Sequence, residues 1–321
     1  MFRHLFRRGE RRKQVPSHES KKVVVVAVVT NVAIATFKYV AAIMTGSSAM
    51  FAEAYHSTAD CGNELLLLLG MQRSTRPADS LHPFGHGKLL YFYSLLVAVY
   101  IFGIGGGLSF YQGITHLFHP EPSTRPGWNY AVLGASALFD LYSWAISYKE
   151  MRARKDRNES IWDEIIGSKD PTVFTVFLED SAGLIGVALA FLGIFLGHVL
   201  HNPYLDPIAS ILIGGLLTAL AFLLGRETGA LLTGERTSKA RIQRIRKILS
   251  SEPDVEGVGD LLTMQLGAEQ ALLTVSVRFR RGIDLDEVEA AIASLRKKLR
   301  QKDRSLTYIY IQPEPLEALG P

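Results

Sequence analysis

The sequence predicts an α-helical membrane protein with six transmembrane helices and a small cytoplasmic α/β domain at its C-terminal end. Three observations predict it. Of the 321 residues 48% are hydrophobic, and the long apolar runs are confined to residues 23–233, while 1–22 and 234–321 are strongly charged. Six of the runs are long enough to cross about 30 Å of hydrocarbon. Basic residues also collect in alternate loops, the pattern expected of a chain threaded through a bilayer. The chain thus divides into a basic cytoplasmic N-terminal arm (1–22), a transmembrane domain (23–233) and a cytoplasmic domain (234–321).

The arm opens "MFRHLFRRGERRK", and the apolar run behind it is too long for the core of a signal peptide. No cleavable leader is therefore expected, and the arm should stay in the cytoplasm. The spans fall at roughly 23–44, 49–71, 89–113, 128–149, 172–197 and 207–228. Arg73, Arg76 and Lys88 lie between the second and third, and Lys149, Arg152, Arg154, Lys155, Arg157 and Lys169 between the fourth and fifth. Loops 45–48, 114–127 and 198–206 hold only Arg125. Both termini are accordingly placed on the cytoplasmic side, with Trp128, Tyr130 and Tyr204 in an outer interfacial belt. "GIGGGLSF" (103–110) and "IGGLLTA" (213–219) read as close helix packing through small residues. In the tail the order αββαβ suggests an antiparallel sheet with helices on one face. Short loops and the expected lack of a targeting segment lead to the expectation of a bacterial cell (inner) membrane.

Composition excludes several functions. A single cysteine, Cys61, leaves no internal disulfide or cysteine-rich zinc module and reads as a packing residue. A net charge of +4 is too small and too scattered to argue for nucleic acid. No nucleophile, base and oxyanion donors are grouped as an enzyme needs.

The chemistry lies in the spans. "EAYHSTADCGNE" (53–64) places Glu53, His56, Asp60 and Asn63 or Glu64 at intervals of three and four, hence on one helix face. Ionisable groups at membrane depth face a partner helix or a cavity. The fifth span offers Glu179 and Asp180, and the fourth offers Asp140. Lys38 could neutralise one of these carboxylates at most. An imidazole with several carboxylates is a shell for a divalent transition metal, and protons would compete for the same groups. His56, Asp60, Glu179 and Asp180 are the expected ligands. Glu53 and Glu64, nearer the helix ends, either face water or serve as vestibule or ligand residues, and with Asn63 they are candidates for the pathway or for proton coupling. Asp140 is either a pathway residue or a hydrogen-bonded packing group. Asp206, before Pro207, reads as a cap on the sixth helix. In the loop "PADSLHPFGHGK", Asp79, His82 and His86 stand at spacings of three and four, either a partial zinc shell or a solvated loop that happens to hold two histidines.

Taken together, "HSTAD", "HPFGHGK", "EDSAGLIGV" and "DPIASILIG" resemble the cation diffusion facilitator family over about residues 22–315. "FLEDSAGLIG" and "GGGLSFYQGITHL" are most similar to the branch that contains zinc transporter nine. The resemblance implies a homodimer that exchanges Zn2+ for protons by alternating access, with a ferredoxin-like tail and no organic cofactor. It implies a transport site of two residues, four apart, on each of the second and fifth spans. His56 and Asp60 match, as does Asp180, but the remaining position is Val176. Glu179 is expected to supply the missing oxygen. That set is harder than usual, so Mn2+, Fe2+ or Co2+ become alternative cargoes. A membrane metal sensor or scaffold is the alternative of another class. The loop trio also matches the family, with Zn2+ as its expected ion. The tail has no histidine after His201, and Gln312 stands where some relatives bind metal, so the tail is expected to dimerise without a zinc pair.

Overall fold

The computed structural model describes residues 18–120, 126–154 and 169–314. Most of the basic arm, Arg125 and the basic stretch from Lys155 to Arg157 lie outside them. Long helices cover each of the six apolar runs. They are α1 (His18–Thr45), α2 (Ser48–Ser74), α3 (Leu89–Phe118), α4 (Pro126–Arg154), α5 (Pro171–Val199) and α6 (Leu205–Thr233). Among the described residues, α3, α5 and α6 are long and apolar enough to cross a membrane by length and composition. Helix α2 falls short because it carries Glu53, Asp60 and Glu64 within its apolar run. Phe37, Ile43, Val99, Phe102, Tyr142 and Phe222 are all more than half exposed, an outward apolar surface suited to lipid.

The helices lock together through small residues and a few buried polar bonds. Helix α3 is π-helical over Ile101–Gly107, where its glycine run meets α6. A Cβ on Gly106 would stand 2.6 Å from Thr218 Oγ1, and one on Gly214 would stand 2.8 Å from Phe110 N. Both glycines are thus needed for the contact, as "GIGGGLSF" and "IGGLLTA" suggested. Ser109 Oγ donates to Ala52 O of α2, and Ser210 Oγ of α6 donates to Ser109 O.

Asp206 departs from the expected cap of its own helix. Helix α6 already begins at Leu205, and the Asp206 side chain turns away to the N-terminus of α2. It accepts from Ser47 Oγ at 2.6 Å, Ser48 N at 2.6 Å and Ser48 Oγ at 2.9 Å. The N–H groups of the first helical turn lack partners within their own helix. A buried carboxylate there satisfies several at once and complements the helix dipole.

The C-terminal part consists of α7 (Lys239–Ser250), β1 (Val255–Gly267), β2 (Gln270–Phe279), α8 (Leu285–Lys302) and β3 (Leu306–Pro313). Ser238 caps α7, and a capping box of Asp284 and Glu287 starts α8. The strand order is β1-β2-β3. The first pair is antiparallel, but β2 and β3 run parallel, so the sheet is mixed rather than antiparallel throughout. The reason is the connection: α8 crosses over between β2 and β3 and returns the chain in its original direction. Leu273, Val275 and Val277 alternate into a core with Ile245 and Leu249 of α7 and Leu295 and Leu299 of α8.

Asp206→Ala should destabilise the protein by about 1–3 kcal/mol, the cost of orphaned buried donors. Asp206→Asn, which keeps one acceptor, should cost less. Melting temperatures in detergent test this order, and equal values for native and both variants would contradict the clamp.

Candidate metal centre

Helices α2 and α5 meet across two glycines. A Cβ on Gly183 would lie 2.9 Å from His56 Nε2, and one on Gly186 would lie 2.5 Å from Glu53 Oε1. Only hydrogen at these positions lets α5 approach the polar face of α2. The result is a cavity of about 490 Å³ to which both helices contribute. His56, Asp60 and Glu64 enter it from α2, Glu179 and Asp180 from α5, and Asp140 from α4. Its wall runs from His56 and Gly183 to Met71 and Thr172, at the ends of α2 and α5 that adjoin the C-terminal domain.

His56 is buried, and its Nδ1 lies 3.6 Å from Asp60 Oδ1, one turn along. That separation is too long for a hydrogen bond, and Nδ1 has no other hydrogen-bond partner. Asn63 Nδ2 donates to Glu179 Oε1 at 2.8 Å, and Ser143 Oγ of α4 donates to Asp180 Oδ1 at 3.0 Å. One oxygen of each carboxylate is thereby fixed, and Asp180 Oδ2 is buried without a hydrogen-bond partner. Val176 also lines the cavity and is 39% exposed, so this wall is apolar where a fourth ligand would stand. Glu179 opens on the same space. No three of these groups bring ligand atoms within 4.8 Å of one another. Among the described residues no lysine or arginine pairs with Asp60, Asp140, Glu179 or Asp180.

The remaining candidates separate. Asp140 lines the cavity and accepts from Ser136 Oγ, one turn away on its own helix. Glu64 lines it too, held by Asn31 Nδ2 of α1 at 3.2 Å. Glu53 does not. It is fully buried and paired with Lys38 at 2.9 Å, so it is neither wet nor part of a vestibule in this conformation. Asn31 and Ser143 are additions to the sequence-derived set. Each was visible as a polar residue in an apolar run, and Ser143 follows Asp140 by three, on one face of α4.

The loop trio is preassembled. Asp79, His82 and His86 are the described group whose ligand atoms all lie within 4.8 Å. His82 Nδ1 is 3.2 Å from Asp79 Oδ1, His86 Nε2 is 3.5 Å from Asp79 Oδ2, and the imidazole centroids are 4.2 Å apart. Gly85, at φ +84, turns the chain between the histidines. Backbone N–H groups of His82 and Leu81 donate to Asp79 Oδ1. The His82 N–H bond, foremost, holds the Asp79 carboxyl below the usual carboxylate range. Asp79 therefore stays an anion at any pH where the imidazoles can bind metal. The same bonds favour the folded turn above the ordinary aspartate range, and that contribution fades as pH falls through the lowered value. An anionic oxygen and two imidazoles fit a zinc ion with further ligands from water or another chain. The loop also rests on the C-terminal domain. The Phe84 ring stands edge-on to Tyr308 at 5.1 Å, and Gly87 packs against Leu266 and Gln270.

Comparison with known proteins gives two family matches, the cation efflux transmembrane domain over residues 24–233 and the cation efflux protein cytoplasmic domain over 237–316. A mouse protein named proton-coupled zinc antiporter SLC30A9, mitochondrial, is 35% identical over 267 residues, 83% of this chain and 46% of its own length. Metal tolerance protein C4 of Arabidopsis thaliana is 28% identical over 287 residues (88% and 62%). The cation-efflux pump FieF of Serratia proteamaculans is 30% identical over 230 residues (72% and 71%). The chain spans about half the length of the antiporters it matches. By name the antiporters and the efflux pump are transporters, not enzymes. The mouse, human, orangutan and frog antiporters are named mitochondrial, which overturns the expected bacterial inner membrane. Short loops follow from the helix packing and carry no address. A multi-pass membrane architecture stands, and the chain belongs to the cation efflux, or cation diffusion facilitator, family.

Proposed function

We propose that this chain is a six-span exporter that exchanges Zn2+ for protons by alternating access as a homodimer. One observation carries the reading: His56 and Asp60 of α2 share a cavity with Glu179 and Asp180 of α5. The cavity runs to the helix ends beside the C-terminal domain, so metal would enter from the side of the membrane that holds that domain. Binding would draw the imidazole and the free carboxylate oxygens together. Asn63 and Ser143 would keep Glu179 and Asp180 aimed, as outer hydrogen bonds orient metal ligands. Because ligands must shed protons to bind metal, protons entering from the far side would release it. Asp140 and Glu64 would serve the pathway. The zinc and proton assignments lean on the names of the antiporter relatives. Val176 and the oxygen-rich set keep Mn2+, Fe2+ and Co2+ as alternatives.

We assign Asp79, His82 and His86 as a second, loop-bound zinc site. The C-terminal domain would be a ferredoxin-like dimerisation module. A purely sensory role draws support from the loop trio, which is already assembled in a loop whose Phe84 and Gly87 touch that domain. Metal bound but not moved by the purified protein would favour it.

Zinc uptake into proteoliposomes driven by a pH gradient should fall at least about a hundredfold in Asp60→Ala, since losing one charged ligand costs several kilocalories. Undiminished uptake would remove Asp60 from the site. Gly183→Ala should lower uptake without removing a ligand, because its methyl meets His56 Nε2. Wild-type rates there would show that α5 yields freely. Asp79→Asn keeps the turn's acceptor but loses the charge. Bound zinc per chain, measured by metal analysis after dialysis, should drop by about one while uptake persists, and unchanged stoichiometry would contradict the loop site.

A further inference from the structure

One buried pair beside the cavity is unused by this mechanism. Lys38 of α1 is 1% exposed and Glu53 of α2 is fully buried, with Nζ 2.9 Å from Oε2. A buried ion pair seldom stabilises a fold better than apolar residues of the same size, so packing alone is a weak account of it. Glu53 stands three residues before His56, on the same helix face, and is not among the residues that line the cavity. Only one of its oxygens is engaged. Glu53 Oε1 is buried without a hydrogen-bond partner and lies against Gly186, as His56 Nε2 lies against Gly183 one turn away.

We propose that Glu53 is the release-side carboxylate of the metal pathway, and that Lys38 is a tethered cation that holds it shut while the cavity faces the side of the C-terminal domain. The proposal rests on the transport reading above. When α5 parts from α2 at Gly183 and Gly186, Glu53 Oε1 is the first anionic oxygen beyond His56. A divalent ion at His56 and Asp60 repels the ammonium and attracts the carboxylate, which loosens the pair from the loaded side. Once the ion has gone, Lys38 recovers Glu53 and charge in the seam is balanced again. Among these helices, Asp206 clamps the same end of α2 through Ser47 and Ser48, so a lock at Glu53 lies between that clamp and the cavity.

The deciding variant is Lys38→Gln/Glu53→Gln, which leaves no unpaired buried charge and can bond amide to amide. In proteoliposomes it should move zinc at least about tenfold more slowly than native protein, the scale of a lost charged contact. Zinc affinity of the solubilised protein should stay within about threefold, since His56 and Asp60 remain. A second arm does not depend on the cargo. In a Cys61→Ser background, Ala190→Cys, buried on α5 one turn beyond Gly186, reports opening of the far end to an impermeant maleimide. The double variant should label several-fold faster than its parent. Native flux and native labelling together would overturn the proposal and leave a structural ion pair. Loss of affinity with the fold intact would also overturn it, by placing Glu53 in the primary site. If native protein moves no zinc, the transport reading fails, and the labelling rate alone decides the lock.

Discussion

Helix α2 imposes the constraint on which the rest of the structure depends. It carries two glutamates, a histidine, an aspartate and an asparagine through an apolar layer, and none of them can be left unpartnered there without cost. Each neighbouring helix meets part of that demand. Helix α1 supplies Lys38 to Glu53, Asn31 to Glu64 and Tyr39 to Thr58. Helix α5 brings Glu179 to Asn63, α3 bonds the Ala52 carbonyl, and α6 clamps the first turn through Asp206. The arrangement of the other helices is in large part the set of positions from which these bonds can be made.

What these bonds leave unsatisfied is as informative as what they satisfy. Glu179 and Asp180 are each held by one oxygen, and His56 Nδ1 faces Asp60 across a gap too wide for a hydrogen bond. A fully paired cluster would be a packing device, whereas a half-paired one is costly unless something else binds. The glycines on α5 make this possible. By removing side chains at positions 183 and 186, they let two polar faces approach without filling the space between them.

The loop between α2 and α3 works on a different principle. Asp79, His82 and His86 already face one another, because a short turn with Gly85 and backbone bonds to Asp79 fixes them locally. Phe84 and Gly87 tie that turn to the C-terminal domain, and Lys88 reaches Leu232 O at the end of α6. Local order is affordable in water, where unused polar groups stay hydrated. In the membrane the corresponding order depends on several helices at once.

Much was legible in one dimension because hydrophobic length, charge asymmetry and helical spacing are local properties of a chain. The apolar runs, the common face of His56 and Asp60, and the loop spacing of Asp79, His82 and His86 follow from residue order alone. The mixed sheet did not, since strand direction depends on how α8 crosses over. Nor did the partner of Asp206, the burial of Glu53 against Lys38, or the roles of Asn31 and Ser143. Those were decided by which helix faces which, and a one-dimensional pattern says that a polar residue needs a partner without saying who it is. Sequence by itself determined that α2 and α5 each carry ionisable side chains through an apolar run. Only the tertiary structure decided which carboxylates share the cavity and which one is paired with a lysine outside it, because pairing in an apolar medium is settled by contact distance.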